Sequence, residues 1–310
     1  MRKEIDIEPN YTVIVPVFNS AETLEELVSR IDKTMTAYAP YELLLIDDFS
    51  TDNSWEELIR IKAGRRHIRL LQLTKNFGQA AATICGVREA KANVLIVTDD
   101  DLQFPPEEMS KLIDAFDPEN KYVLFGVPKK KKTSLFQKFT TAIIEGFINQ
   151  IVFKGTKEMR FSSFRIITKI RYKREEYNES RMKSAQIFFT MVSPELMDYI
   201  YVDHQPRKKG HSQYSFLKRL RIALELILVN TEMPWYLFIF TAFIFFFLAV
   251  GLCMLFLIMP SLEISRNLLV IFLSGGFSVI AFGFVLMFGY VKKIMLGFLG
   301  AEVYAIWKEA

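Results

Sequence analysis

At 310 residues, 51% of them hydrophobic, the chain has room for one α/β domain of ordinary size and an appendage. A net charge of +4 is too modest to point to nucleic acid, and basic residues beside apolar segments suit anionic lipid headgroups better. The two cysteines, Cys85 and Cys253, are too few and too differently set for a disulfide framework, which fits a reducing cytoplasm, and no charged segment followed by an apolar run and cleavage site predicts a signal peptide.

The first 126 residues alternate short apolar runs with helical patterns. Strands are expected at Tyr11 to Val15, Glu42 to Ile46, Ile68 to Leu73, Val94 to Thr98 and Tyr122 to Phe125. Helices are expected between them, at about Ala21 to Tyr38, Ser54 to Lys62, Gln79 to Ala90 and Glu107 to Phe116. Strict alternation predicts a mostly parallel sheet covered on both faces, with ligands at the carboxyl ends of the strands. Polar residues gather at those ends: Asn19 and Ser20, then Asp47 and Asp48, then Lys75 and Asn76, and finally Asp99, Asp100 and Asp101. Four such ends on one edge describe a nucleotide site.

The aspartate triplet follows an apolar strand and is stopped by Pro105 and Pro106. Side chains alternate along a strand, so Asp99 and Asp101 are expected on one side and Asp100 on the other, as a bystander. A hard divalent cation bound to a diphosphate needs only one or two carboxylates, the remaining positions going to water and phosphate oxygens. An acidic loop turned to solvent is the plainer alternative for an isolated Asp-x-Asp.

Beyond Gly126 comes the lysine run Lys129 to Lys132, then Ser134 to Asn149 with Leu135, Phe136, Phe139, Ile143 and Phe147 at helical spacing. This is either an interfacial helix or an ordinary helix packed on the sheet. The segment Phe161-Ser162-Ser163-Phe164-Arg165 precedes a charged stretch and a strand-like Ala185 to Met191. Residues 202 to 214 are polar, basic and flexible, and could close over an anionic substrate with Arg207 offering a fork of donors to phosphate.

An amphipathic helix from Ser215 to Val229 leads into Trp235 to Met259, 25 residues without a charge, and Leu268 to Val291 supplies another 24. Each exceeds the roughly 20 residues that cross a bilayer, so two transmembrane helices are expected. Lys218, Arg219 and Arg221 before the first and Lys292 and Lys293 after the second predict both ends in the cytoplasm, joined by a short outer loop. The expected organisation is therefore a cytoplasmic domain over 1–214, a juxtamembrane helix within 215–234, two spans within 235–291 and a cytoplasmic tail over 292–310.

With these pieces in place the chain resembles family 2 glycosyltransferases of the polyisoprenyl-phosphate branch, the group of dolichol-phosphate mannose synthase and bactoprenol glucosyltransferase. Val15-Pro16-Val17-Phe18-Asn19 is similar to that group's Val-Pro-Val-Tyr-Asn, and Ile46-Asp47-Asp48-Phe49-Ser50-Thr51-Asp52 to its Val-Asp-Asp-Gly-Ser-Thr-Asp. Lys75-Asn76-Phe77-Gly78-Gln79 resembles Arg-Asn-Phe-Gly-Gln, and Asp99 to Glu107 resembles Asp-Ala-Asp-Leu-Gln-His-Pro-Pro-Glu. Arg207 to Tyr214 looks like Arg-x-x-Gly-x-Ser-x-Tyr. The resemblance implies a Rossmann-like sheet of glycosyltransferase A type, with interfacial amphipathic helices and two C-terminal transmembrane helices.

It also implies roles. Pro16, Asn19, Asp47 and Asp48 would hold the base and ribose; Lys75, Ser212 and Tyr214 would contact the donor. Asp99, Asp101 and Gln103 would surround Mg2+ or Mn2+ and the diphosphate, with Arg207 and Arg165 as phosphate clamps. The expected reaction is inverting transfer of one sugar, from a UDP-sugar by preference, to undecaprenyl or a similar polyprenyl phosphate. It would occur at the cytoplasmic face of the bacterial inner membrane, serving a cell-envelope glycan such as lipopolysaccharide, in a homo-oligomer. A processive polysaccharide synthase and a non-catalytic nucleotide-sugar-binding scaffold are the alternatives. Three positions depart from the pattern: Ser20 stands where Glu is common, Phe49 replaces a turn glycine, and Ser163 occupies the place of an Asp sometimes proposed as a base.

Overall fold

Alternating apolar residues in each central strand feed two opposite faces, and the helices sort themselves accordingly. The computed structural model describes residues 8–129, 160–169, 194–206 and 305–310, with isolated helical positions between 239 and 291. Strands β1 (Tyr11–Val17), β2 (Tyr41–Asp47), β3 (Ile68–Leu73) and β4 (Val94–Val97) alternate with helices α1 (Leu24–Met35), α2 (Ser54–Lys62) and α3 (Gln79–Glu89). Val13, Val15, Leu43, Leu45 and Ile96 face one core with Leu24, Leu27 and Ile31 of α1 and Leu58 of α2. Ile14, Leu44, Ile46, Leu71, Leu95 and Val97 face the other, with Ala82 and Cys85 of α3. Helix α4 (Met109–Ala115) adds Met109 and Leu112 to the first core.

The sheet continues through β5 (Val123–Pro128), β6 (Arg165–Thr168), β7 (Met197–Val202) and β8 (Ile306–Glu309), in the order β7-β5-β6-β4-β1-β2-β3-β8. β1 to β4 are parallel, β6 runs antiparallel between β4 and β5, β7 is parallel to β5, and β8 is antiparallel to β3. β4, β5 and β7 therefore share a direction, and their carboxyl ends lie on the same edge as those of β1 and β2. The chain turns back across β1 to reach β4, which makes the β1/β4 boundary a topological switch point, where doubly wound sheets bind ligands.

β6 and β7 match no strand expected from the sequence, and β8 and the start of α1 differ from the expectation as well. The C-terminal residues, expected as a simple tail, form β8. It covers the edge of β3 through backbone bonds between Leu70 and Ala310 in both directions, and the Arg69 guanidinium holds Glu309 at 2.9 Å and Glu42 at 3.1 Å. Covering that row of unpaired backbone groups removes an open edge. Helix α1 starts at Leu24, later than expected, because Ser20 to Thr23 form a turn in which the Thr23 amide and hydroxyl both donate to the Ser20 carbonyl.

The chain divides into one unit of Met1–Gln213 with Glu302–Ala310 and a second of Tyr214–Ala301. Lys130 to Lys132 of the lysine run, the helix expected at 134–149, the strand expected at 185–191, the basic loop from Arg207 through Ser212 and Tyr214, and the juxtamembrane helix lie outside the described residues. So do most of the two expected spans. Among the described residues no helix is long and apolar enough to cross a membrane. The positions described in those stretches are helical and carry exposed apolar side chains, among them Phe240, Phe247, Ile258, Phe277 and Phe284.

Candidate active site

Backbone strain gathers on one edge of the sheet. The non-glycine residues with left-handed φ among those described are Asn19 (53°), Phe49 (58°) and Leu102 (57°), and they follow β1, β2 and β4. Asparagine tolerates this region; phenylalanine and leucine do so at a cost of order 1–3 kcal/mol, and such residues cluster at functional sites. Phe49 takes the conformation that the glycine of the resembled pattern would adopt freely, and leaves its ring 45% exposed.

The aspartate triplet lies just past the end of β4, in a turn, and its three side chains diverge. Asp99 accepts from Gln79 Nε2 on Oδ1 and from the Ser163 hydroxyl on Oδ2, each at 2.5 Å. Asp101 Oδ1 accepts from the Gln103 amide at 3.1 Å, closing the turn that contains Leu102. Asp100 points elsewhere, as expected, but is no bystander: its Oδ2 accepts from the Phe18 amide at 3.0 Å and the Ser20 hydroxyl at 2.5 Å.

The residues expected around the nucleoside form the neighbouring wall. Pro16 is buried within β1. Asn19 is exposed, its Oδ1 accepting from the Thr51 amide at 2.8 Å, so the loops after β1 and β2 are stitched together. Asp47 is buried and accepts from Gln72 Nε2 at 2.9 Å and from the Ser50 amide. Asp48 is buried too, and both its oxygens accept backbone N–H groups, from Phe77 and Gly78, at 2.8 Å each. Lys75 is exposed, its ammonium 5.0 Å from the Phe77 ring centroid.

Register explains how β6 and β7 reach the same edge. Val97 pairs with Arg165 across antiparallel strands, so two residues beyond, Asp99 meets Ser163. Arg165 itself is buried, its Nη1 donating to the Ser163 carbonyl at 3.1 Å. After β7 the Gln205 amide donates to the Gln103 carbonyl at 2.8 Å, the Asp203 amide donates to Glu108, and the His204 ring lies edge-on to Phe104 at 5.0 Å. The chain leading to Arg207 thus departs from beside the aspartate turn.

Burial raises the Asp99 carboxyl to about 6; the Ser163 hydroxyl and Arg165 oppose this, while Asp101 and Asp100 add repulsion. Burial also raises Asp100, against its two hydrogen bonds, and raises Asp48 against its backbone donors. Arg165 is pulled down to about 10 by desolvation, with the Asp99 charge restoring part of that loss. Among the described residues no three His, Cys, Asp or Glu side chains form a metal-binding group. Asp99 and Asp101 are hard oxygen donors that repel each other, and a divalent cation between them would relieve that repulsion. That suits an ion completing its sphere with phosphate and water.

Asp99, Asp101, Gln103, Asp47, Asp48 and Asn19 therefore share one edge, with Arg165 beneath it. Sequence reasoning missed Gln79 and Asp100. Gln79 sits inside the Lys75 to Gln79 motif, and the first turn of α3 aims it at Asp99. For Asp100, the signal was the polar pair of Ser20 and Asp100 on adjacent strand ends.

Comparison with known proteins bears on this edge. The profile described as "Glycosyl transferase family 2" matches residues 12–182. An undecaprenyl-phosphate 4-deoxy-4-formamido-L-arabinose transferase from Pectobacterium carotovorum subsp. carotovorum (strain PC1) is 30% identical over 239 residues, covering 74% of this chain and 70% of its own. Glucosyl-3-phosphoglycerate synthase from Mycobacterium tuberculosis, in complex with Mn2+ and UDP-glucose, has the same fold: TM-score 0.52 and 11% identity over 71% of this chain and 77% of that one. A mannosyltransferase from Pyrobaculum calidifontis, in complex with GDP-Man and Mn2+, matches at TM-score 0.39 and 18% identity, over 53% of this chain and 45% of its own.

Proposed function

The chain belongs to glycosyl transferase family 2, and from that premise we propose that it transfers a single sugar, with inversion, from a nucleotide sugar to undecaprenyl or a similar polyprenyl phosphate. A UDP-sugar is the preferred donor, and Mg2+ or Mn2+ the required ion. The observation that carries the proposal is the convergence of Asp99, Asp101 and Gln103 with the Asp47, Asp48 and Asn19 loops on one sheet edge. The acceptor named for the 30% identical relative supports a polyprenyl phosphate.

In this mechanism Pro16, Asn19, Asp47 and Asp48 bind base and ribose, and Lys75, Ser212 and Tyr214 contact the donor. Asp99, Asp101 and Gln103 would hold the cation, which would supply positive charge to the departing diphosphate. A phosphate oxygen of the acceptor forms the bond to the anomeric carbon while the bond from that carbon to the diphosphate breaks, its electron pair leaving with the nucleotide. The acceptor is a phosphate monoester with a second pKa near ~6, already largely an anion, so no strong base is needed. The neutral Ser163 hydroxyl beside Asp99 suits such a site. Arg207 steadies the meeting of two anions, and the buried Arg165 acts through Asp99 and the Ser163 carbonyl.

The two expected spans would keep the enzyme at the cytoplasmic face of the bacterial inner membrane, close to an acceptor whose tail stays in lipid. Unit 1 includes both Gln213 and Glu302, with β8 paired to β3. Two spans within 235–291 would bring the chain back to the face it left and keep both termini inside. A homo-oligomer and a role in cell-envelope glycan synthesis complete the proposal.

Purified protein offered labelled nucleotide sugars and polyprenyl phosphate tests it, with label expected in the organic phase. In the same assay Arg207→Ala should lose about 100-fold in rate with an unchanged melting curve; an unchanged rate would refute that role. Below about pH 6 a proton occupies the Asp99 carboxyl of the metal-free protein and a cation must displace it. Calorimetric Mn2+ affinity should therefore fall as pH drops from 7 to 5, approaching roughly tenfold per unit below the Asp99 value. Equal affinity at both ends would contradict the assignment of Asp99 as a ligand.

A further inference from the structure

We infer that Asp100 is a positioning residue that holds the nucleoside half and the diphosphate half of the site in register across the β1/β4 switch point. It has that importance only if this edge binds a nucleotide sugar as proposed above. β1 and β4 pair as far as Ile14 with Val97, and the last backbone bond between them runs from the Thr98 amide to the Ile14 carbonyl. Beyond it β1 continues beside β2, to Val17 opposite Asp47, while the β4 chain turns away. Past that point backbone pairing no longer fixes the spacing of the two chain ends.

Asp100 bridges the two ends. Its carboxylate accepts the Phe18 amide and the Ser20 hydroxyl, and its carbonyl lies 3.0 Å from the Thr23 hydroxyl, whose one proton it shares with the Ser20 carbonyl. The link does not stop at β1. The Ser20 amide donates to the Ser54 hydroxyl at 2.9 Å, and that hydroxyl donates to Asp52 at 2.5 Å. One chain of bonds thus joins the turn after β4, the turn after β1 and the start of α2. Asp99 and Asp101, which flank Asp100, are thereby set against Asn19, Asp47 and Asp48. A site that holds a base at one end and a diphosphate at the other depends on that spacing, and a misplacement of about 1 Å can cost roughly 100-fold.

The resembled sequence pattern has alanine in the middle of its triplet and commonly glutamate at position 20. Here the carboxylate stands at position 100 and the small hydroxyl at 20, facing each other. Exchanging the carboxylate and the hydroxyl between the two positions therefore gives a direct test of the bridge.

The full-length protein, titrated calorimetrically with UDP and with GDP in the presence of Mn2+, provides the readout alongside thermal melting. Asp100→Ala should weaken nucleotide binding about 10- to 100-fold, and Ser20→Asp combined with Asp100→Ser, which keeps a hydroxyl and a carboxylate facing each other, should recover most of the loss. Asp100→Asn, which keeps the shape and an acceptor for the Phe18 amide, should lose a few-fold; it decides the matter if Asp100→Ala does not fold. Wild-type affinity in Asp100→Ala or, failing that, in Asp100→Asn, or a double variant no better than Asp100→Ala, overturns the inference alone. A wild type that binds neither nucleotide overturns the donor-site proposal, and this inference with it.

Discussion

Asp101→Ala should abolish sugar transfer, with a loss of about 1000-fold or more, equivalent to roughly 4 kcal/mol of transition-state stabilisation. Substitution of Asp101 leaves the hydrogen bonds of Asp99 in place. Asp99 accepts from Gln79 and Ser163, so its removal would leave two donors without their acceptor. Asp101 accepts the Gln103 amide, in a turn already strained at Leu102. Losing that bond costs about 1 kcal/mol in stability, far less than the loss in rate. Asp101→Asn separates the two effects: it can still accept the Gln103 amide but lacks the negative charge, and should be about as inactive as the alanine variant while melting like the wild type. A rate within tenfold of wild type for either variant would remove Asp101 from the metal site.

The second large effect is expected in stability and lies behind the site. A Cβ built on Gly86 would stand 2.4 Å from Ile14 Cγ2 and 2.9 Å from Ile46 Cδ1, so α3 rests directly on β1 and β2 because this residue is glycine. Gly86→Val should force the helix off the sheet at a cost of about 3 kcal/mol and lower Tm by about 10 °C. The displacement would also reach the active edge. α3 begins with Gln79 on Asp99, and the turn before it gives the Phe77 and Gly78 amides to Asp48. Donor affinity should therefore fall together with Tm. A Gly86→Val protein melting within about 2 °C of wild type would contradict this packing.

The parallel half of the sheet was legible because its strands are buried on both faces and read as continuous apolar runs, each ending in polar residues. Those polar ends also announced the site. β7 and β8 were not legible, for a common physical reason. β8 is exposed along its whole length and joins β3 through backbone bonds, which leave little trace in side-chain pattern. β7 carries the half-exposed Tyr199 and the exposed Tyr201 at the opposite margin. Asp100 was misjudged because strand alternation was carried one turn too far. β4 ends at Val97, and past it the side-chain directions follow the turn and its partners, which lie 80 or more residues away in sequence at Ser20 and Phe18. Phe49 shows the converse. Its replacement of a glycine was visible in the sequence, while the left-handed backbone it must adopt was visible only in the fold.

The central claim is that this edge passes a sugar from a nucleotide to a lipid phosphate. The most direct measurement incubates the purified full-length protein with a panel of labelled UDP- and GDP-sugars, polyprenyl phosphate and Mn2+, and then follows label in the organic phase against nucleoside diphosphate released. The expected result is label from one donor in the organic phase, equimolar with nucleoside diphosphate and absent when either the lipid phosphate or the cation is omitted. Label from no donor, or lipid labelling that persists without the cation, would contradict it.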